Sequence, residues 1–423
     1  MIKYENYELI NLPWLKEIPK NWNKKKLKKI SRFKTGNSIK DEIKNKYSKK
    51  DNSYLFITTS DIDGEKLVIN HQSSIFIPKS EKGFRISEIG STLLCIEGGS
   101  GGKKVAFTSQ LVCYGNKLCS IKLNLGVDKY LYYVLVSNVF KIYYNMNISG
   151  DRNGISQKNV GEFVLPFPNI SEQQQIADYL DWKIREIDKL IDIEKQQIKD
   201  IERLKKIIIS QYYNELPIKR RIKTLIQSPL VYGINEAGKM NGKIRFIRIT
   251  DIEKNGSLKK DGKQYINDCE KKYILEKGDI LFARSGGTVG KTYLHQDISN
   301  NELMAFAGYL IRARFDVNLV NPEYIYYYTQ SESYTEWKNS IFIQSTIQNI
   351  SAEKYSNLEI PYCSLNIQNK IVEKIKQKLL EINKLKEKSL EKQFYLVSLK
   401  ESIISEVVTG QIDVRNVKIP ERK

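Results

Sequence analysis

Apolar residues recur along residues 171–213 at steps of three, four and, once, seven: Ile176, Leu180, Ile184, Ile187, Ile191, Ile198, Ile201, Leu204 and Ile208. Such spacing lines one face of a helix and forms the seam of a coiled coil. No Pro or Gly interrupts the stretch, with Pro168 before it and Pro217 after it, so both ends carry boundary signals. At 1.5 Å per residue such a helix is roughly 60 Å long. An apolar stripe of that length needs a cover. A second seam supplies one: Ile371, Ile375, Leu379, Ile382, Leu385, Phe394, Val397, Ile404 and Val408, closed by Gly410 as a C-terminal stop.

The remaining pattern is shorter in period. Residues 54–62 read as a buried strand and turn, and 86–107 as turn, strand, glycine-rich loop and strand. Residues 117–123 alternate as a strand, 127–146 read as one helix, 148–160 as a loop and 162–168 as a strand. After the first long helix the order starts again. Residues 215–226 echo 18–30, 245–252 echo 55–62, and 277–291 echo 89–103, which sets Lys291 against Lys103. Residues 321–329 echo 128–135, 349–361 echo 154–166, and 366–410 echo the first long helix. The chain is therefore two copies of one unit, an α/β (α+β) head followed by a long helix. The seams are expected to pair with each other, and the return path through the second head makes them antiparallel. The expected product is a dumbbell: two heads, an antiparallel two-helix coiled coil and a pseudo-twofold internal repeat. The boundaries fall at 1–168, 169–213, 214–363, 364–410 and a tail at 411–423.

Composition narrows the partners. At 41% hydrophobic and 28% charged over 423 residues the chain can bury cores, and its formal charge is +20. That balance favours a polyanion, DNA, RNA or an anionic membrane; a lysine-rich composition bias is the plain alternative. The five cysteines, Cys95, Cys113, Cys119, Cys269 and Cys363, show no CxxC spacing, so neither a disulfide framework nor a zinc site is indicated. Only His71 and His295 are available as imidazole ligands, and both read as surface or turn residues. Residues 1–10 lack a signal-peptide pattern and no apolar run reaches membrane length. A cytoplasmic, nucleic-acid-binding protein is the expectation.

Two motifs suggest enzymes and fall short. Residues 286–292, GGTVGKT, resemble a phosphate-binding P-loop, but Ser285 stands where that motif needs Gly and the next residues read as strand and turn. A glycine-rich turn between strands still offers bare N–H groups beside a lysine, which suits a DNA phosphate. It also suits a hairpin needing positive φ. Gly99, Ser100, Lys103 and Lys104 in the first copy, with Arg284, Ser285, Thr288 and Lys291 in the second, are candidates. Residues 321–324, NPEY, resemble the NPPY tetrapeptide of adenine methyltransferases, but Glu323 replaces Pro and the first copy has no such motif. Asn321 and Pro322 read better as the cap and first position of a helix.

The loops before each closing strand are rich in groups that pair with base edges. Arg152, Asn153 and Gln157 are candidates in one, and Gln344, Ser345, Thr346 and Gln348 in the other. Thr58, Thr59 and Ser60, with Thr250, form a second set where a repeated strand ends; Asp61 and Asp251 beside them suit turn caps. The basic runs 24–29 and 219–223 recur in both copies and suit phosphate contact. The tyrosines at 132–133, 143–144 and 326–328 suit core packing.

The layout resembles the DNA specificity subunit of type I restriction-modification enzymes. Residues 14–22 (WLKEIPKNW), 165–181 (LPFPNISEQQQIADYLD) and 399–415 (LKESIISEVVTGQIDVR) are similar to that family's N-terminal, helix-entry and C-terminal signatures. Two framework positions depart: the second copy lacks the tryptophan of IPKNW, and Ile367–Gln368 replaces the Glu-Gln of the first. The resemblance implies two target-recognition domains, each reading half of a split double-stranded DNA site, and a rod that sets the spacer. It implies two methyltransferase subunits on the rod and heads, joined by motor–nuclease restriction subunits. It implies no catalysis and no cofactor in this chain, with S-adenosylmethionine, ATP and Mg on the partners. Residues 173–175 and 195–199 are the outer faces expected to meet the methyltransferase. A fused adenine methyltransferase or nuclease, and a coiled-coil scaffold binding proteins only, are the rival readings.

Overall fold

The computed structural model describes residues 2–70, 74–148, 154–253, 255–286, 289–296, 302–343 and 349–420. It divides into two compact units, Met1–Lys195 with Glu391–Lys423, and Gln196–Leu390. The division falls within both long helices, so each unit holds one head and one stretch of helix pair.

The first head is built on two four-stranded sheets. One runs Val105–Phe107, Thr92–Cys95, Leu118–Leu123 and Ser31–Thr35, all antiparallel. The other runs Phe76–Pro78, Ser53–Ile57, Val112–Tyr114 and Ile86–Ser87, with a parallel central pair. Thr92–Cys95 is buried at every position, as a strand covered on both faces requires. The second head repeats the plan. Ile226–Tyr232, Leu310–Phe315, Ile280–Ala283 and Thr292–Leu294 form one sheet, and Gln264–Ile266, Ile244–Ile247 and Met304–Phe306 the other, again with a parallel pair. Leu93, Ile57 and Tyr114 fill the first core, and Leu281, Ile247 and Phe306 the second.

The helix expected over 127–146 is two helices, Asp128–Val136 and Asn138–Asn147. Ser137 breaks it: its backbone is extended (φ −66°, ψ 160°) and its hydroxyl donates to the Val134 carbonyl at 2.7 Å. A serine bonding back to the preceding turn offers the chain an alternative to helix. The tyrosines here are core residues, as expected. The loop expected to run to Val160 ends sooner, because Ser156 accepts from Asn159 N and starts a helix, Gln157–Glu162. Asn321 caps Pro322–Tyr328 with Pro322 first, as the sequence suggests.

The long helices are Ile170–Asn214 and Leu365–Val408. Within the first unit Asp188 pairs with Lys400 and Glu194 with Lys392. Within the second, Glu202 pairs with Lys386. One number rises as the other falls, so the helices are antiparallel. Ile176 through Ile191 are buried as expected, but Leu204 is exposed and Ile209 and Tyr213 take the inward positions. On the second helix Leu385, Phe394 and Val397 are exposed, contrary to expectation. The real seam passes Ile382, Ser389, Leu396, Lys400, Ile403 and Val407, all buried. Two of those positions are polar, so an apolar-only pattern leaves the true track there.

Gly410 ends the helix with φ +73°, and a Cβ on it would strike Pro19. The residues after it are packed: Ile412 and Val414 are buried, and Asp413 N donates to the Ile2 carbonyl at 2.9 Å. Gln173 and Gln175, expected on an outer face, turn inward. Gln173 is fully buried, and Gln175 donates to the Val414 and Val417 carbonyls at 3.0 and 2.9 Å. Among the described residues no helix is long and apolar enough to cross a membrane.

Candidate nucleic-acid interface

The glycine-rich turns join Thr92–Cys95 to Val105–Phe107 and Ile280–Ala283 to Thr292–Leu294. A strand follows each turn, so the P-loop geometry is absent. Gly98 and Gly102 have φ of +83° and +67°, and Gly286 and Gly290 of +76° and +81°, a region that favours glycine. A Cβ on Gly98 or Gly286 would meet nothing. One on Gly102 would strike Tyr144, and one on Gly290 would strike Lys338.

Strand register corrects the repeat alignment. Leu94 faces Val105 while Phe282 faces Thr292, so the second turn is one residue shorter and Lys291 corresponds to Lys104. Each lysine reaches a backbone carbonyl at the neighbouring turn, Thr59 at the start of the first and Ile252 just past the end of the second. Lys104 Nζ donates to the Thr59 carbonyl at 2.7 Å, and Lys291 Nζ to the Ile252 carbonyl at 3.3 Å. Each ties the glycine turn to the candidate turn beside it.

That second turn is a single 3-10 turn in both heads, Thr59–Asp61 and Ile249–Asp251. Asp61 caps the first, accepting from Thr58 N and Oγ1 at 2.7 and 2.6 Å. Asp251 caps the second, accepting from Arg248 N, Nε and Nη2 at 2.8, 3.1 and 2.7 Å. That carboxylate raises the Arg248 guanidinium above its ordinary value. Ser60 and Thr250 stand exposed at matching positions. Sequence reading missed Arg248 because the residue matching it is a threonine.

The polar loops return to the same place. Ile155 N donates to the Ile96 carbonyl at 2.9 Å, and Ile350 N to the Arg284 carbonyl at 2.8 Å. Ser285 also pairs with Asn349. Gln157 heads its short helix just beyond, where the second head has Ala352. In the first head the fold thus gathers Thr58, Thr59 and Ser60, the turn of Gly99, Ser100, Lys103 and Lys104, and Gln157. In the second it gathers Thr250, Arg284, Ser285 and Lys291. Arg152, Asn153, Thr288, Gln344, Ser345, Thr346 and Gln348 lie outside the described residues.

The matched side chains differ. Arg284 occupies the position of Ile96, and its guanidinium lies 4.8 Å from the centre of the Tyr232 ring. The Tyr232 hydroxyl in turn accepts from Ala352 N at 2.9 Å. Tyr232 went unnoticed because no sequence spacing links it to Arg284. The basic runs are largely engaged: Lys24 pairs with Glu8, and Lys26 and Lys28 with Glu162. Hydrogen bonds from Lys28 and then Lys26 hold the Glu162 carboxyl down to about 2. In the second head Arg220 stacks on Tyr362 at 4.2 Å and Arg221 pairs with Glu359 at 3.6 Å.

A family model described as the type I restriction modification DNA specificity domain matches the chain twice, over residues 19–203 and 234–407. Among solved structures, one from work on complex assembly and conformational transition of the type I R-M system is similar in fold. Its TM-score is 0.71 at 15% identity, covering 93% of this chain and 99% of that one. The HsdS subunit from Thermoanaerobacter tengcongensis aligns at 16% identity over 93% of this chain and 98% of its own, with a TM-score of 0.48, too low to carry an argument.

Proposed function

We infer the function from one premise: the chain belongs to the type I restriction modification DNA specificity family. It is a DNA-recognition chain of a type I restriction-modification system. We propose that each head reads one half of a bipartite duplex site and that the paired helices set the spacer. We also propose that methyltransferase subunits and motor–nuclease subunits assemble on this chain in the cytoplasm. In this reading the chain is non-catalytic, and S-adenosylmethionine, ATP and Mg are held by those partners. The glycine turn, 3-10 turn and polar loop then present the contacting groups.

One observation carries the reading. The two heads share a frame, with a lysine tether from each glycine turn, Lys104 in one and Lys291 in the other. They differ in the side chains set on it, Thr58 against Arg248 and Ile96 against Arg284. A common frame with unlike readers suits an asymmetric two-part site, because frame contacts position the protein and variable groups specify the base. Methylome sequencing of the host with and without this gene tests it. A bipartite methylation motif lost with the gene is the expected result; an unchanged methylome would exclude the reading.

A further inference from the structure

Each unit has a cleft where the glycine turn, the segment after the 3-10 turn and a short helix meet a long helix. In the first unit it encloses about 200 Å³, and all of its charged lining residues except Lys103 are paired. Lys66 pairs with Asp192, Lys195 with Glu65, Lys141 with Glu401 and Lys400 with Asp188, all at 2.7–3.0 Å. In the second unit the cleft encloses about 130 Å³, and Glu253 is the one acid among its described lining residues. Lys206, Lys291 and Lys338 also line it.

The repeat explains the imbalance. Asn138 N donates to Ser405 Oγ at 3.0 Å and Glu332 N to Ser210 Oγ at 2.9 Å. The same contact therefore joins short helix to long helix in both units, and it fixes the correspondence. Lys206 stands where the first unit has Glu401, Thr335 where it has Lys141, and Lys338 where it has Tyr144. The glycines agree, since Gly102 is shadowed by Tyr144 and Gly290 by Lys338. An ion pair in one unit has become a lone lysine in the other, and a second lysine has replaced the neighbouring tyrosine.

Among the described residues no carboxylate pairs with Lys206 or Lys338. Burial, and then the Lys206 charge, lower the Lys338 ammonium below its ordinary value. Two ammonium groups facing a shared cleft repel unless an anion lies between them. The neighbouring wall is already satisfied. Gln330 Nε2 donates to Thr292 Oγ1 and Thr329 Oγ1 at 2.8 and 3.1 Å, and Thr329 Oγ1 donates to the Tyr326 carbonyl. What the cleft offers a ligand is positive charge. Its volume is roughly that of four waters at about 30 Å³ each, room for a tetrahedral oxyanion.

We propose that this cleft binds a phosphate group, with Lys206 and Lys338 as its cationic contacts. Free phosphate and the terminal phosphate of a nucleoside triphosphate share this chemistry. The full-length chain is titrated by calorimetry with inorganic phosphate and, separately, with ATP. The variants are Lys206→Glu and Lys338→Tyr, each the residue that the first unit holds in the matching place. Saturable phosphate binding, weakened at least tenfold in both variants with salt-dependent DNA binding retained, is the expected result. Tighter binding of ATP than of phosphate identifies the nucleotide as the source, and equal or weaker binding identifies free phosphate. Absence of saturable binding to both ligands, or binding unchanged in both variants, overturns the site. Equal loss of DNA binding in the variants also overturns it, because the lysines would then belong to the DNA track.

Discussion

Lys400 Nζ lies 2.7 Å from Asp188 Oδ1, across the antiparallel helix pair of the first unit, with the Lys400 side chain only 6% exposed. The same ammonium donates to the Glu65 carbonyl at 3.0 Å. It therefore fixes the helix register and holds the Glu65 segment of the head against the helix pair. Lys400→Ala leaves Asp188 without its partner and opens space in the seam. Breaking a fully buried pair costs about 3–5 kcal/mol. Asp188 is 29% exposed, so about 2 kcal/mol is expected after solvent screening. Urea denaturation checks it.

The exposed seam residues give an independent check on the helix pair. Phe394 is 75% exposed while Leu396, two residues on, is buried. Phe394→Ser is expected to change stability by less than about 0.5 kcal/mol. Leu396→Ala is expected to cost about 2–4 kcal/mol through the cavity it leaves. Equal losses in thermal melts would restore the apolar track through Phe394.

How far the sequence was legible follows from such positions. Ile176 through Ile191 mark the seam because every inward position there is apolar. The track is lost at Ser389 and Lys400, which are buried by virtue of partners, Gln197 and Asp188, that lie some two hundred residues away. The two-helix split at Ser137 depends on one hydroxyl's choice of carbonyl, which periodicity does not register. The one-residue difference between the glycine turns is hidden in low-complexity sequence and visible only in strand register. At the candidate interface the turns and loops were legible as places. The tethers from Lys104 and Lys291, and the stacking of Arg284 on Tyr232, required the fold.

The two departures from the repeat, the missing tryptophan and Ile367, have one cause. In the first unit Glu172 is buried and accepts from Tyr4 Oη at 2.7 Å and Trp22 Nε1 at 3.0 Å. The second copy lacks the tryptophan, and Ile367 at the matching position is 47% exposed, so no carboxylate is needed there. Glu172→Leu strands both donors. A loss of about 2–6 kcal/mol is expected, from about 1–3 kcal/mol for each unsatisfied group. Equilibrium unfolding followed by tryptophan fluorescence measures it, and Ile367→Ala at the matching position is expected to cost much less.

Glu162 supplies a pH prediction. Its folded value, about 2, lies below the ordinary carboxylate value because Lys28 and Lys26 donate to it. A depressed value stabilises the folded state above the unfolded value, near 4.3. The contribution disappears as pH falls through the folded value. An NMR titration is expected to give a Glu162 midpoint near 2 at low salt. Added salt is expected to raise it, because the group is exposed. In Lys26→Ala/Lys28→Ala the midpoint is expected to return toward 4.3.

In the proposed reading, Arg284 is the side chain on which the asymmetry of the two heads rests most directly. Tyr232 supports its guanidinium at 4.8 Å, and the Tyr232 hydroxyl is itself held by Ala352 N. A supported planar fork loses little freedom when it binds, and matches the paired acceptors of a guanine edge. Arg284→Ala is expected to cost about 1–3 kcal/mol at one base position, which relaxes the methylation motif in one half of the site and leaves the other half unchanged. Arg284→Lys is expected to fail as a rescue, since a lysine keeps the charge and loses the fork and the stacking plane. Tyr232→Leu, which retains Arg284 but removes its platform, is expected to weaken the same position by a smaller factor. Methylome sequencing of the three variants distinguishes this from a phosphate contact, whose loss would lower methylation at all sites alike without changing the motif.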